Sequence, residues 1–133
     1  MALSVISELT MKPISFHTTD WSHLQVTRHA GKTGFATWRT LQYDGLRIRM
    51  VEYSPGYEAD HWCAVGHIFF CIDGELVSEL SDGTSHTLKA GMSYEVSDGM
   101  SKHRSRTEKG ATLFIIDGAF LSNHAKRGVF GLQ

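Results

Sequence analysis

The sequence predicts an all-β domain, an antiparallel sandwich or jelly-roll barrel. Three observations carry that prediction. Five Asp-Gly pairs punctuate the chain, at Asp44-Gly45, Asp73-Gly74, Asp82-Gly83, Asp98-Gly99 and Asp117-Gly118. Asp-Gly marks tight turns, because glycine takes positive φ freely and aspartate hydrogen-bonds its own backbone. Between the pairs lie short stretches rich in β-branched and aromatic residues, and no long stretch of helical period is evident from about 30 to 117.

In chain order the expected strands are GFATWRT, LRIRMVEY, HIFFCI, ELVSEL, HTLKAG, MSYEV and ATLFIID, all of ordinary strand length. In LRIRMVEY, Leu46, Ile48 and Met50 share one face and Arg47 and Arg49 the other. HIFFCI and LFII are apolar on both faces, as in strands covered on both sides. Ahead of the strands, TTDWSHLQ reads as one helical turn with Thr19 or Asp20 as N-cap. Residues 1–10, upstream of Met11, read as a peripheral element, and the tail AFLSNHAKRGVFGLQ as a short helix before Gly128 or an arm.

Composition narrows the function. With 133 residues the chain suits one domain. A net charge of -1, from 13 basic and 14 acidic side chains without a basic block, gives no reason to expect nucleic acid or an anionic membrane as partner. No apolar run reaches bilayer-spanning length, and the N-terminus lacks the charged region of a signal peptide. Two cysteines, Cys63 and Cys71, cannot form a disulfide framework, so the expected location is cytoplasmic. Cys71, in a greasy strand, reads as a small buried hydrophobe.

The segment GYEADHWCAVGHIFFCIDGE places His61, Cys63 and His67 within seven positions. On an extended strand His61 and Cys63 face one side, Trp62 the other, and His67 has the parity of the first two. His103 follows the Asp98-Gly99 turn and joins them if two strands bring His103 beside His61. Three imidazoles and a thiol then converge. Asp60 would orient a ligand histidine or cap the turn. Tyr53, Arg49, Tyr94 and Arg104 are candidates for the mouth of such a site, and Glu52, Glu58 and Tyr94 for a general base. The pairs Arg47/Arg49 and Arg104/Arg106 read as solvated faces. His17, His23, His29, His86 and His124 read as surface residues.

Gly56, His61, Cys63, His67 and Gly74 resemble the first motif of the cupin superfamily: a glycine, His-x-His, a glutamate, then a glycine. GMSYEVSDGMSKH resembles the second motif, a glycine, Pro-x-Gly, then a histidine. VEYSPGYEADHWC and GMSYEV are similar to the DHCW-motif cupin-fold proteins, for which no reaction is implied. Cys63 stands where the motif has its second histidine, His67 where it has glutamate, and Ser97 where it has proline. The spacings before His61 and His103 each differ by one residue, a shift that a β-bulge absorbs while redirecting a side chain.

The resemblance implies an all-β, single-domain cupin double-stranded β-helix over 21–118, with 1–20 and 119–133 as flanking elements. It implies a divalent transition metal on His61, Cys63, His67 and His103. Thiolate and imidazole favour zinc or nickel and accept iron or cobalt. The expected role is a Lewis-acid site acting on or binding a small polar molecule in the barrel, with a homodimer as the expected assembly. A non-catalytic metal or small-ligand sensor, and a structural zinc site in an interaction module, are the alternatives.

Overall fold

The structure, a computed structural model, describes residues 12–123. Eight antiparallel strands run through these residues: β1 Thr27–Ala30, β2 Phe35–Tyr43, β3 Leu46–Tyr53, β4 His67–Leu80, β5 Ser85–Lys89, β6 Ser93–Val96, β7 His103–Arg106 and β8 Ala111–Gly118. One sheet has the order β1-β2-β3-β8-β4, with β6 on the far edge of β4. The other joins β5 and β7 to the second half of β4. The two sheets therefore share a single long strand, and the result is a jelly-roll barrel. No helix among the described residues is long and apolar enough to cross a membrane.

Three of the five Asp-Gly pairs are turns. Asp44-Gly45 closes the β2–β3 hairpin, where Tyr43 pairs with Leu46. Asp82 accepts from the Thr84 amide at 2.9 Å and holds the β4–β5 turn. Asp98 precedes β7 and accepts from the Gly66 amide at 2.6 Å.

The other two pairs correct the sequence reading. Asp73-Gly74 is not a turn between two strands. HIFFCI and ELVSEL form one continuous strand, β4, and the pair marks where it passes from one sheet to the other. The register against β8 slips between Cys71 and Asp73, a bulge that bends the strand. Gly74 has φ +81°, and a Cβ there would lie 2.4 Å from the Gly110 carbonyl oxygen, so only glycine fits. Asp117-Gly118 is the end of β8, and Asp117 is buried within the strand.

Two strands escaped the sequence reading. β1 (TRHA, Thr27–Ala30) is short, and β7 carries the polar run His103–Arg106. Neither shows an apolar face to a pattern search. The expected helical turn is present at Trp21–His23, with Asp20 accepting from the Ser22 amide at 3.0 Å as N-cap. Trp21 meets Phe114 edge-on, ring centres 5.9 Å apart, and so covers the outer face of β8. Beyond β8 a second turn, Ala119–Leu121, is tied back by the Asp98 amide donating to Leu121 at 2.9 Å. The expectations for residues 1–10 and for the tail from His124 lie outside the described residues.

The barrel interior is layered. Val51 of β3, Leu113 of β8 and Cys71 of β4 face inward in one row and are almost completely buried. Leu76 and Leu88 close the core from the second sheet. Burying each large side chain here contributes roughly 1.5–3 kcal/mol. Towards the other end of the same strands the interior turns polar: Arg49, His67, His103 and Asp117 are all buried.

Candidate functional site

The polar layer is fixed by strand register. Arg47 pairs with Asp117 across β3 and β8, and Ile68 pairs with Ile116 across β4 and β8, which sets His67 beside Asp117. One carboxylate thus stands between two guanidiniums and an imidazole. Asp117 Oδ1 accepts from Arg47 Nε at 2.9 Å, and Oδ2 accepts from Arg49 Nη2 at 2.9 Å. The same Oδ2 lies 3.2 Å from His67 Nδ1. Burial pushes the Asp117 carboxyl up, but the hydrogen bonds from His67 and Arg47 and the Arg49 charge outweigh it. The carboxyl is held well below the usual carboxylate range.

Because an ionised carboxylate only accepts, His67 must carry its proton on Nδ1 and turn Nε2 inward. That Nε2 sits 3.8 Å from Cys63 Sγ. His103 is set in the same way from another direction. Its Nδ1 is 2.9 Å from the Ser101 carbonyl oxygen, which can only accept, so Nε2 is again the free ring nitrogen. His103 Nε2 is buried with no hydrogen-bond partner among the described residues. The donor atoms of Cys63, His67 and His103 lie within 4.8 Å of one another.

The His103 and His67 rings flank the Cys63 sulfur and hold its thiol down to about 5. Burial lowers His67, but hydrogen bonds with Asp117 and Cys63 overcome it and raise the imidazole above its ordinary value. Two ring lone pairs and a sulfur anion facing one another are mutually repulsive unless a cation stands between them. A proton or a metal ion meets that requirement.

The structure brings three of the four sequence candidates together and leaves the fourth aside. His61 is exposed at the mouth of the site, with its Nδ1 2.6 Å from Asp60 Oδ1. The cause is local. The chain before β4 runs along β7, Ala59 bonding to Ser105 and Cys63 to His103. β7 advances from 105 to 103 while its partner advances from 59 to 63, so two residues are extruded. The register place opposite His103 falls to Cys63, and His61 stands on the extrusion. The extended strand expected over 61–63 is absent; only an isolated bridge, Cys63 with His103, remains.

The cluster opens on a cavity of about 120 Å³. Tyr53, Arg49, Tyr94 and Arg104, the four candidates for the mouth, all line it. Tyr53 and Tyr57 stack there with ring centres 4.3 Å apart. Of the candidate bases, only Tyr94 borders the cavity; Glu52 is exposed, and Glu58 faces Lys32 at 3.8 Å. The arginine reading is corrected in part. Arg49 is 5% exposed and clamps Asp117, whereas Arg104 and Arg106 bond Glu79 at 3.0 and 3.3 Å on the outer side of β7.

Asp117 was missed as a site residue, and Arg49, expected at the mouth, was missed as its clamp. The signal was parity: Asp117 shares a face with Ala111, Leu113 and Ile115, and Arg49 shares one with Val51. It was masked because the opposite face of both strands is also apolar.

The sequence matches no family profile and no curated protein. Solved structures do match. An RmlC-like cupin from Shewanella frigidimarina NCIMB 400 is similar over 79% of this chain and 92% of its own, with 18% identity and a TM-score of 0.64. The polyketide cyclase RemF from Streptomyces resistomycificus is similar over 79% of this chain and 80% of its own, with 17% identity and a TM-score of 0.66. Fe(II)-HppE with an alternative substrate matches 82% of this chain and 64% of its own, with 12% identity and a TM-score of 0.65. Likeness at such identities carries the fold, and the chain has the cupin fold.

Proposed function

We propose that this cupin-fold protein holds one divalent transition metal through Cys63 Sγ, His67 Nε2 and His103 Nε2, and acts on or binds a small polar molecule beside it. One observation carries the reading: three metal-competent donors lie within 4.8 Å, and one of them, His103 Nε2, is buried without a partner. Such an atom costs about 1–3 kcal/mol unless something satisfies it. The donor set fits the group. Thiolate with imidazole favours zinc or nickel and accepts iron or cobalt. Asp117 behind His67 supplies the carboxylate–histidine support typical of metal-bound imidazole. Fe(II)-HppE is an iron-holding structure of the same fold.

A divalent ion in this cluster supplies Lewis acidity towards an oxygen donor. The remaining work belongs to the chain. Asp117 and the Ser101 carbonyl fix the two histidine tautomers. Tyr53, Tyr57 and Phe69 set aromatic side chains in the cavity wall. Burial pushes the Tyr94 hydroxyl up, so it stays protonated and serves as a donor. Three protein donors leave a place open, the pattern of catalytic rather than structural zinc sites, which are four-coordinate. With His61 outside the cluster, the described residues offer a closed structural site no fourth ligand.

Metal analysis of the purified protein, with absorption spectroscopy after cobalt substitution, tests this. Wild type should hold about one equivalent and show a sulfur-to-cobalt charge-transfer band; Cys63→Ser should lose the band, and His103→Ala the metal. Full metal content in His103→Ala and His67→Ala would refute the site.

A further inference from the structure

Four buried side-chain polar atoms have no hydrogen-bond partner among the described residues: Arg39 Nε, Arg49 Nε, Tyr94 Oη and His103 Nε2. Three of their residues, Arg49, Tyr94 and His103, line the same cavity of about 120 Å³. Buried polar atoms are satisfied in the great majority of cases, so three orphans around one small space point to a ligand. A metal would account for His103 Nε2. Two orphans then remain, and both are donors: a guanidinium N–H and a phenol O–H. Donors without acceptors call for a ligand rich in oxygen.

Charge points the same way. Arg47 and Arg49 share a single carboxylate, Asp117; Arg49 and Asp117 are buried and the Arg47 side chain is 31% exposed, so the group carries one positive charge in excess, part of it facing solvent. No aspartate or glutamate lines the cavity, and the acid nearest Arg104 is Glu79 on the outer side of β7. A divalent ion balanced by one thiolate adds a further positive charge. A cavity with this surplus in a low-dielectric interior favours an anion over its neutral analogue. Its volume lies below the roughly 300–1,000 Å³ of drug-sized pockets, so it fits a head group or a molecule of few atoms.

We propose that the ligand of this site is a small carboxylate, whose oxygens accept from Arg49 Nε and the Tyr94 hydroxyl beside the Cys63–His67–His103 cluster. The proposal rests on the metal reading for part of its charge argument, while the two orphaned donors belong to the protein alone.

Calorimetric titration of cobalt-loaded and metal-free protein with lactate, and with its uncharged analogue lactamide, tests it. Lactate should bind the loaded protein at least about tenfold more tightly than lactamide, as expected of charge-assisted hydrogen bonds. Tyr94→Phe should keep the cobalt and weaken lactate roughly tenfold, with a smaller loss for lactamide, whose carbonyl accepts an uncharged hydrogen bond; Arg49→Lys should weaken lactate by a similar factor in the fraction that holds cobalt. Equal binding of the two probes, or variants that hold cobalt and bind lactate as wild type does, would overturn the proposal. Should wild type take up no cobalt, the metal reading fails separately. The metal-free titrations then decide: a lactate preference lost in Tyr94→Phe sustains the carboxylate site, and its absence removes it.

Discussion

Two layers of the same three strands carry opposite chemistry. Val51, Leu113 and Cys71 form an inward row of β3, β8 and β4; Arg47, Asp117 and His67 form another, four residues away on each strand. All are buried except Arg47, whose side chain is 31% exposed. The first row stabilises the fold through apolar burial and tolerates volume-conserving apolar swaps at low cost. The second must overcome the cost of desolvating charges and does so only because each partner is matched. An apolar row would serve stability as well. What the polar row adds is orientation: it fixes the proton on His67 Nδ1 and aims Nε2 at Cys63. The comparison separates residues that hold the barrel together from residues that hold a geometry.

The comparison breaks most severely with Asp117→Ala. That change strands Arg49 and His67 inside the barrel, and urea unfolding should show a loss of about 3–5 kcal/mol together with loss of bound metal. A loss below about 1 kcal/mol would mean the row is not coupled. Leu113→Ala should cost about 2–5 kcal/mol from transfer and cavity terms, with metal content unchanged in the folded fraction. Stability and metal content thus fall together in one layer and separately in the other.

Asp117→Asn sharpens the comparison, since it keeps the shape and removes the charge. Metal affinity should fall about 10–100-fold, measured by competition with a chelator. The same variant reports on acid stability. In the native state the Asp117 carboxyl is held below its ordinary value, so the folded protein binds fewer protons than the unfolded chain. Its contribution is fully present above the unfolded pKa of about 3.9 and is lost as pH falls below it towards the folded value. Wild type should therefore lose stability below about pH 4, and Asp117→Asn should lose less over the same range. Parallel slopes would show that Asp117 does not govern the acid limb. The smallest effect belongs to His61→Ala, which should change stability by less than about 0.5 kcal/mol and leave metal content intact. Loss of metal in that variant would bring His61 into the site.

Much of the frame was legible in residues whose meaning is local. Asp44-Gly45 and Asp82-Gly83 make their turns from their own backbone preferences, and Asp20 caps its helical turn with its own side chain. LRIRMVEY announced β3 because alternation is written into it. The motif spacing pointed to His61, Cys63, His67 and His103, and the barrel brings the donor atoms of the last three within 4.8 Å of one another. What failed depended on a neighbour. Asp73-Gly74 has the composition of a turn, but the β8 partner and the close approach of Gly110 make it a crossing point within β4. Arg49 has the composition of a surface residue, but Asp117 lies across the sheet to receive it.

The sequence by itself determined most of the strands, most of the turns and the chemical types gathered near the site, since these follow from φ preference, side-chain alternation and donor chemistry. Tertiary structure decided which of them meet. Two extruded residues between Ala59 and Cys63 turn His61 out and seat Cys63 opposite His103, and register across three strands sets Asp117 behind His67. Pairing between strands is a property of two segments at once, so neither outcome is written in either segment alone.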